Sequence, residues 1–383
     1  MTGSVKDKAW ADFVAQRKPA LASRFRFAVL LVSLAVGCPV FMEDARAAPY
    51  PEPQPGEFIL RGFRFTNGET LPELKLHYYT LGRLQRDSAG RTTNAVLLLH
   101  GTAGSAANFF IGSFAGELFG SGQPLDAERY FIIVPDNIGH GRSSKPSDGL
   151  RTRFPRYGYA DMVTAQYRLV TEKLAIDRLR LVLGTSMGGM HAWMWAVNYP
   201  DFMDAVLPLA CLPAQISGRN RMERRLIVDA IRNDPEWNGG NYARPPQGLA
   251  TALKAALITS GSARQLYLAA PTMEAADRLL DERVQERLRA TDANDFLYAW
   301  EASRDYNPAP GLEEIRAAVV AINFADDERT PPELGILEKE IMRVRKGKAV
   351  TIPASDRTRG HASFYDASLW KPYLERLLAR SAR

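Results

Sequence analysis

Cysteine is scarce in this chain: Cys38 and Cys211 are the only two in 383 residues. If the first 47 residues leave as a leader, Cys211 has no internal partner, so no disulfide framework is expected. Histidine is also sparse. The five, at 77, 100, 140, 191 and 361, include no pair at metal-ligand spacing, so no metal is expected. The net charge is +6, but no basic run is interleaved with aromatics. Nucleic acid is therefore excluded as a partner, and the charge reads as a solvated surface. The apolar run Phe27–Met42 has 16 residues, interrupted by Ser33, Gly37 and Pro39. That falls short of the ~20 apolar residues a spanning helix needs.

What surrounds that run is informative. Arg17, Lys18, Arg24 and Arg26 precede it, and Ala45-Arg46-Ala47 follows as a small-x-small site before Ala48-Pro49. This is the layout of a secretory signal peptide over 1–47, with cleavage after Ala47 and export to the periplasm or medium expected.

Beyond the leader, Tyr50–Gly56 reads as a proline-stiffened extended segment. Phe58–Phe65 and Glu73–Thr80 alternate apolar and polar residues around Asn67-Gly68, the pattern of an antiparallel pair at a sheet edge. The pattern then changes to continuous apolar runs: Ala95–Leu99, Tyr130–Val134, Leu181–Leu183, Ala205–Leu209, Ala317–Ile322 and Ala349–Ile352. Strands buried on both faces read this way, and the segments between them are long enough for crossover helices. The expected fold is α/β, a mostly parallel sheet of about eight strands with helices on both faces. Residues 212–312 break the alternation and read almost wholly as helix. One helix is expected over Asn220–Asn233, with Met222, Leu226, Ile227, Ala230 and Ile231 inward and Asp234-Pro235 as its stop. Another carries Leu279, Leu280, Val284 and Leu288, and a last one starts near Leu369 with Leu369, Tyr373 and Leu377 inward. The expected organisation is a core of 48–211 and 313–383 with a helical lid, 212–312, over the active site.

The chemistry centres on Gly184-Thr185-Ser186-Met187-Gly188. A glycine-x-serine-x-glycine set between an aliphatic strand and an amphipathic helix is a nucleophile elbow. A serine hydroxyl needs a base to take its proton, and the base needs an acid to orient it. In such folds the chain order is serine, acid, histidine. His361 is the only histidine after Lys348, so it is the base. The acid is expected just beyond the strand at Ala317–Phe324, in Ala325-Asp326-Asp327-Glu328-Arg329-Thr330-Pro331. A proline four residues after the acid selects Asp327, with Asp326 as the alternative. His100-Gly101-Thr102-Ala103-Gly104 matches the loop that supplies one oxyanion donor, so the amides of Thr102 and Met187 are the expected oxyanion hole. His100 and His140 are expected to be structural. No cofactor is needed.

These residues together resemble the α/β-hydrolase superfamily over nearly the whole chain after the leader. Ser186–Met190, Asn198-Tyr-Pro200, Asp229–Pro235, Gly239–Tyr242, Gln247-Gly-Leu249 and Asp292-Ala-Asn294 are similar to its homoserine O-acetyltransferase branch. The resemblance implies an acyl-serine intermediate on the same triad and a homodimer formed through the lid. It also implies an arginine that binds the acceptor's carboxylate, and at that position this chain has Val228, with Arg224 and Arg225 as nearby substitutes. The stretch Asn137–Ser144 reads like that of an ordinary hydrolase, and an exported enzyme would not meet acyl-CoA. The leading expectation is therefore an exported serine hydrolase that cleaves small or medium carboxylic esters through an acyl-serine. The alternative is acyl transfer from acyl-CoA to homoserine, serine or another alcohol.

Overall fold

The computed structural model describes residues 50–381, so the leader, its cleavage site and Cys38 lie outside the described residues. Among the described residues eight strands form one sheet: β1 (Gln54–Arg64), β2 (Thr70–Leu81), β3 (Ala95–Leu99), β4 (Phe131–Pro135), β5 (Leu179–Thr185), β6 (Met203–Leu209), β7 (Ala318–Phe324) and β8 (Gly347–Ile352). Their order is β1-β2-β4-β3-β5-β6-β7-β8. β1 and β2 pair antiparallel, as do β2 and β4, and every later pair is parallel. β1 begins four residues before the expected Phe58, inside the proline-rich segment. Only an edge strand tolerates this, because Pro55 has no N–H to give a second neighbour.

The continuous apolar runs are explained by cover on both faces. Along β3, Ala95, Leu97 and Leu99 join one core, and Val96 and Leu98 join the other. Successive side chains of a strand point to opposite faces, so a strand buried on both sides has no polar positions to spare. The first core is closed by α2 (Tyr159–Arg168), α3 (Met187–Asn198) and α9 (Ile336–Ile341). The second is closed by α1 (Ala115–Leu118) and α10 (Lys371–Arg380).

Between β6 and β7 the chain forms α4 (Gly218–Arg232), α5 (Gln247–Ile258), α6 (Ala263–Ala269), α7 (Met273–Leu288) and α8 (Ala293–Glu301). α4 stops where Asp234-Pro235 predicts, and the Asp234 carboxylate caps the next turn by accepting from Glu236 N at 2.9 Å. Its buried face differs from the expected one. Ile227 and Ile231 are buried, but Met222 and Leu226 are 72% and 55% exposed, while Glu223 and Arg224 are buried. The two charges go inside because partners wait there: Arg329 for Glu223, and Ser303 and Asn220 for Arg224. On α10 the inward residues are Leu374, Leu377 and Leu378, and Tyr373 is only half-buried.

The helical insert is fastened to the core by polar contacts. Asp295 on α8 accepts from the amide and hydroxyl of Ser147 at 2.8 and 2.6 Å. The Tyr298 hydroxyl donates to the carbonyls of Thr152 and Phe154 at 3.1 and 3.0 Å. Burial raises Asp295 to about 6, against the opposing effect of the Ser147 hydrogen bonds. The folded chain therefore keeps a proton that the unfolded chain releases at lower pH, and this contribution to stability fades as pH rises through about 6. Thermal melts between pH 4 and 6 are expected to show this loss, and Asp295→Asn is expected to flatten the slope over that window. An unchanged slope in the variant would show that Asp295 is not its source.

Candidate active site

The turn from β5 into α3 is set by sterics. Ser186 has φ 52° and ψ −113°, a conformation that L residues avoid. It is held there by close approach of strand and helix. A Cβ on Gly184 would lie 2.0 Å from Gly188 O, and one on Gly188 would lie 1.8 Å from Leu99 O of β3. Glycine at both positions lets the elbow pack directly onto its neighbouring strand.

The structure brings the three separated residues together. Ser186 Oγ lies 2.8 Å from His361 Nε2, and His361 Nδ1 lies 2.8 Å from Asp327 Oδ2. Ser186, Asp327 and His361 are 6%, 2% and 4% exposed, so the set is nearly shielded from water. In this arrangement the histidine N–H at Nδ1 donates to Asp327, which leaves Nε2 free to accept the serine proton. Asp327 also accepts from Thr330 Oγ1 at 2.6 Å, and from the amides of Arg329 and Thr330 at 2.8 and 3.1 Å. Burial pushes its carboxyl up. The facing His361 and the hydrogen bonds from His361 and Thr330 outweigh that and hold it below the usual carboxylate range. Asp326, the alternative acid, is turned elsewhere and accepts the amide of Gly360 at 3.1 Å.

Thr102 follows β3, the strand beside β5, and Met187 is the first residue of α3. Among the described residues neither backbone N–H has an acceptor in the protein. For Met187 this follows from its place in the first helical turn, whose amides have no intrahelical partner. A Cβ on Gly101 would sit 3.4 Å from Ser186 Cβ, so the Thr102 loop lies directly against the nucleophile.

The other histidines build the wall behind this loop. His100 Nδ1 donates to Gly101 O at 2.9 Å, and its Nε2 accepts from Asn137 N at 3.1 Å. His140 Nδ1 lies 2.9 Å from Ile138 O, and His191 Nδ1 lies 3.1 Å from the Gln166 amide. Burial lowers all three, His140 to about 3. At neutral pH they are uncharged supports. The hub of this layer is Asp136, just past the end of β4. It accepts from His77 Nδ1 at 2.9 Å, Ala106 N at 2.7 Å and Arg142 N at 2.9 Å.

Between the core loops and the helical insert lies a cleft of about 580 Å³. Its core side is Thr102–Ser105, Gly139–Gly141 and Tyr365, and its insert side includes Leu253, Leu257, Arg287, Phe296 and Trp300. Ser186, Asp327 and His361 are not among its lining residues; Thr102, which follows Gly101 against Ser186, and Arg329, whose amide donates to Asp327, are. The arginines weighed as substitutes at Val228 do not reach it. Arg224 is 1% exposed, bonded to Ser303 Oγ at 3.0 Å and stacked on Trp300 at 5.1 Å. Arg225 is exposed and paired with Asp229. Cys211 is buried and free, and burial raises its thiol far above the usual range.

Comparison with known proteins agrees with this construction. A family model described as alpha/beta hydrolase fold matches residues 94–317. A probable acyltransferase of Methanothermobacter thermautotrophicus is 30% identical over 279 residues, 72% of this chain and 84% of that protein. A homoserine O-acetyltransferase of Haemophilus influenzae is 31% identical over 283 residues, 67% of this chain and 76% of that protein. The solved structure of esterase E22 superposes with a TM-score of 0.75 at 20% identity, over 85% of this chain and 100% of that one. With its elbow, strand order and matched length, the chain belongs to the alpha/beta hydrolase family, in the branch of the homoserine O-acyltransferases.

Proposed function

We propose that this protein is an acyl-serine enzyme that passes an acyl group from an ester or thioester to a small hydroxylated acceptor. The Ser186–His361–Asp327 alignment supplies the chemistry. The curated relatives named as acyltransferases, matched over most of their length, support transfer. Ser186 Oγ attacks the acyl carbonyl as His361 Nε2 takes its proton, and the oxyanion is held by the amides of Thr102 and Met187. The tetrahedral intermediate collapses, and His361 returns the proton to the departing alcohol or thiol. The acceptor hydroxyl then gives its proton to His361 and attacks the acyl-serine, which releases the new ester and restores Ser186.

A specific observation favours hydrolysis as a second reading. No arginine of α4 faces the cleft, since Arg224 is locked inside the insert and Val228 is buried. An acceptor carboxylate would have no cation from that helix, and water then becomes the simplest acceptor. The main reading is tested by following p-nitrophenyl acetate and acetyl-CoA consumption with and without added homoserine, serine or glycerol. Acceleration with formation of the O-acyl alcohol is expected, and acetate as the sole product at every alcohol concentration would leave only the hydrolase. Under either reading Asp327→Asn is expected to slow turnover by about 10⁴, as removal of a triad carboxylate does elsewhere. Asp326→Asn is expected to lose far less, and the reverse order would reassign the acid.

We also propose that the helical insert is a lid and the seat of a homodimer. It carries Met222, Leu226, Ile258, Tyr267, Leu268 and Met273, each more than half exposed. An apolar surface of this kind marks an interaction site. Light scattering is expected to give twice the chain mass, and Leu226→Asp to halve it; a monomeric wild type would refute the dimer. For the leader we propose export, to be read by N-terminal sequencing of the secreted or periplasmic protein. A mature chain starting at Ala48 is expected, and retention of Met1 would exclude cleavage.

A further inference from the structure

The triad loops are not held by the core alone, and one residue joins them to the insert. The backbone amide of Arg329 donates to Asp327 Oδ1 at 2.8 Å. Its guanidinium reaches the other way. Nη2 donates to Glu223 Oε1 of α4 at 2.6 Å, to Ala256 O of α5 at 2.9 Å and to Thr259 Oγ1 at 2.6 Å. The same group lies 5.3 Å over the ring of Trp300 on α8. The side chains of Arg329 and Glu223 are 10% and 6% exposed, so this is a buried ion pair.

The histidine loop is gripped from the same direction. Ala362 N donates to Ser260 O at 3.2 Å. Gly360, immediately before His361, has φ +59°, and a Cβ there would lie 2.6 Å from the carbonyl carbon of Gly261. Acid and base are therefore both braced by the segment from Glu223 to Ser262, although each follows its own core strand.

We propose that Arg329 is a positioning residue, through which docking of the insert sets the Asp327–His361 alignment that activates Ser186. This rests on the acyl-serine reading above. A buried pair broken on one side leaves an uncompensated charge, so the loop cannot simply stay in place when a partner is lost. Since Arg329 also lines the cleft, the competing account is that it binds an anionic part of the substrate. Glu223 separates the two, because it is not among the cleft-lining residues.

The test uses the full-length chain, with fluorophosphonate labelling of Ser186 and p-nitrophenyl acetate turnover well below the melting temperature. Glu223→Gln and Arg329→Lys are each expected to lower kcat and the labelling rate about 10- to 100-fold, the range for catalytic groups displaced by about 1 Å, with KM nearly unchanged. Thr259→Val, which removes the hydroxyl that accepts from Arg329 and donates to Glu223 but leaves the ion pair, is the milder variant if either of these fails to fold, and a smaller loss confined to kcat is expected. Glu223→Gln with wild-type kcat, or Arg329→Lys that raises KM alone, would overturn the proposal in favour of substrate binding. A wild type that is not labelled at all would refute the acyl-serine reading itself, whereas labelling at equal rates in all variants refutes only the role of Arg329.

Discussion

The left-handed backbone at Ser186 is the constraint on which the rest of the site depends. Such a conformation costs on the order of 1–3 kcal/mol and persists only where the surroundings over-determine it. Here they do: strand β5, helix α3 and strand β3 meet with no room for a Cβ at Gly184 or Gly188. The same contact fixes what lies beside the serine. Because β3 neighbours β5, its following loop delivers Thr102 to one side of the nucleophile. Because β7 and β8 extend the sheet on the other side, the loops that leave them bring Asp327 and His361 to the same edge. The site is a consequence of strand order.

Around this frame the buried carboxylates are paired, while His77 Nε2, His140 Nε2, His191 Nε2 and Trp300 Nε1 have no hydrogen-bond partner among the described residues. Asp136 gathers three donors, and the Asn137–His100–Gly101 link ties its neighbour to the loop that carries Thr102. Where the insert meets the core, Arg224 and Arg329 lie over the ring of Trp300, and Glu223 pairs with Arg329. Buried charges of this kind add little net stability but strongly disfavour alternative packings in which one loses its partner.

Much of the fold, and the meeting of Ser186, His361 and Asp327, was legible in the sequence because both are written in local patterns. Aliphatic runs mark strands covered on both faces, the glycine spacing marks the elbow, and chain order with one late histidine marks the base. Proline spacing chose Asp327 over Asp326, and the hydrogen bonds to His361 and Gly360 give each its place. What stayed hidden depends on distant partners. Periodicity put Met222 and Leu226 inside α4 because nothing local announces that Glu223 and Arg224 will meet Arg329 and Ser303. Arg329 itself, two residues past the acid, looks like any loop arginine until its three acceptors are seen. The start of β1 was obscured by prolines that an edge strand accommodates.

The layer of buried imidazoles has a thermodynamic side. His100, His140 and His191 are uncharged in the fold because burial disfavours their protonated forms, but each takes up a proton freely once the chain is unfolded. Their contribution to stability is thus complete above the ordinary histidine range, near 6.5, and is withdrawn as pH falls from there toward about 3 for His140. Mild acid draws on the wall behind the nucleophile before it reaches the carboxylate of the triad.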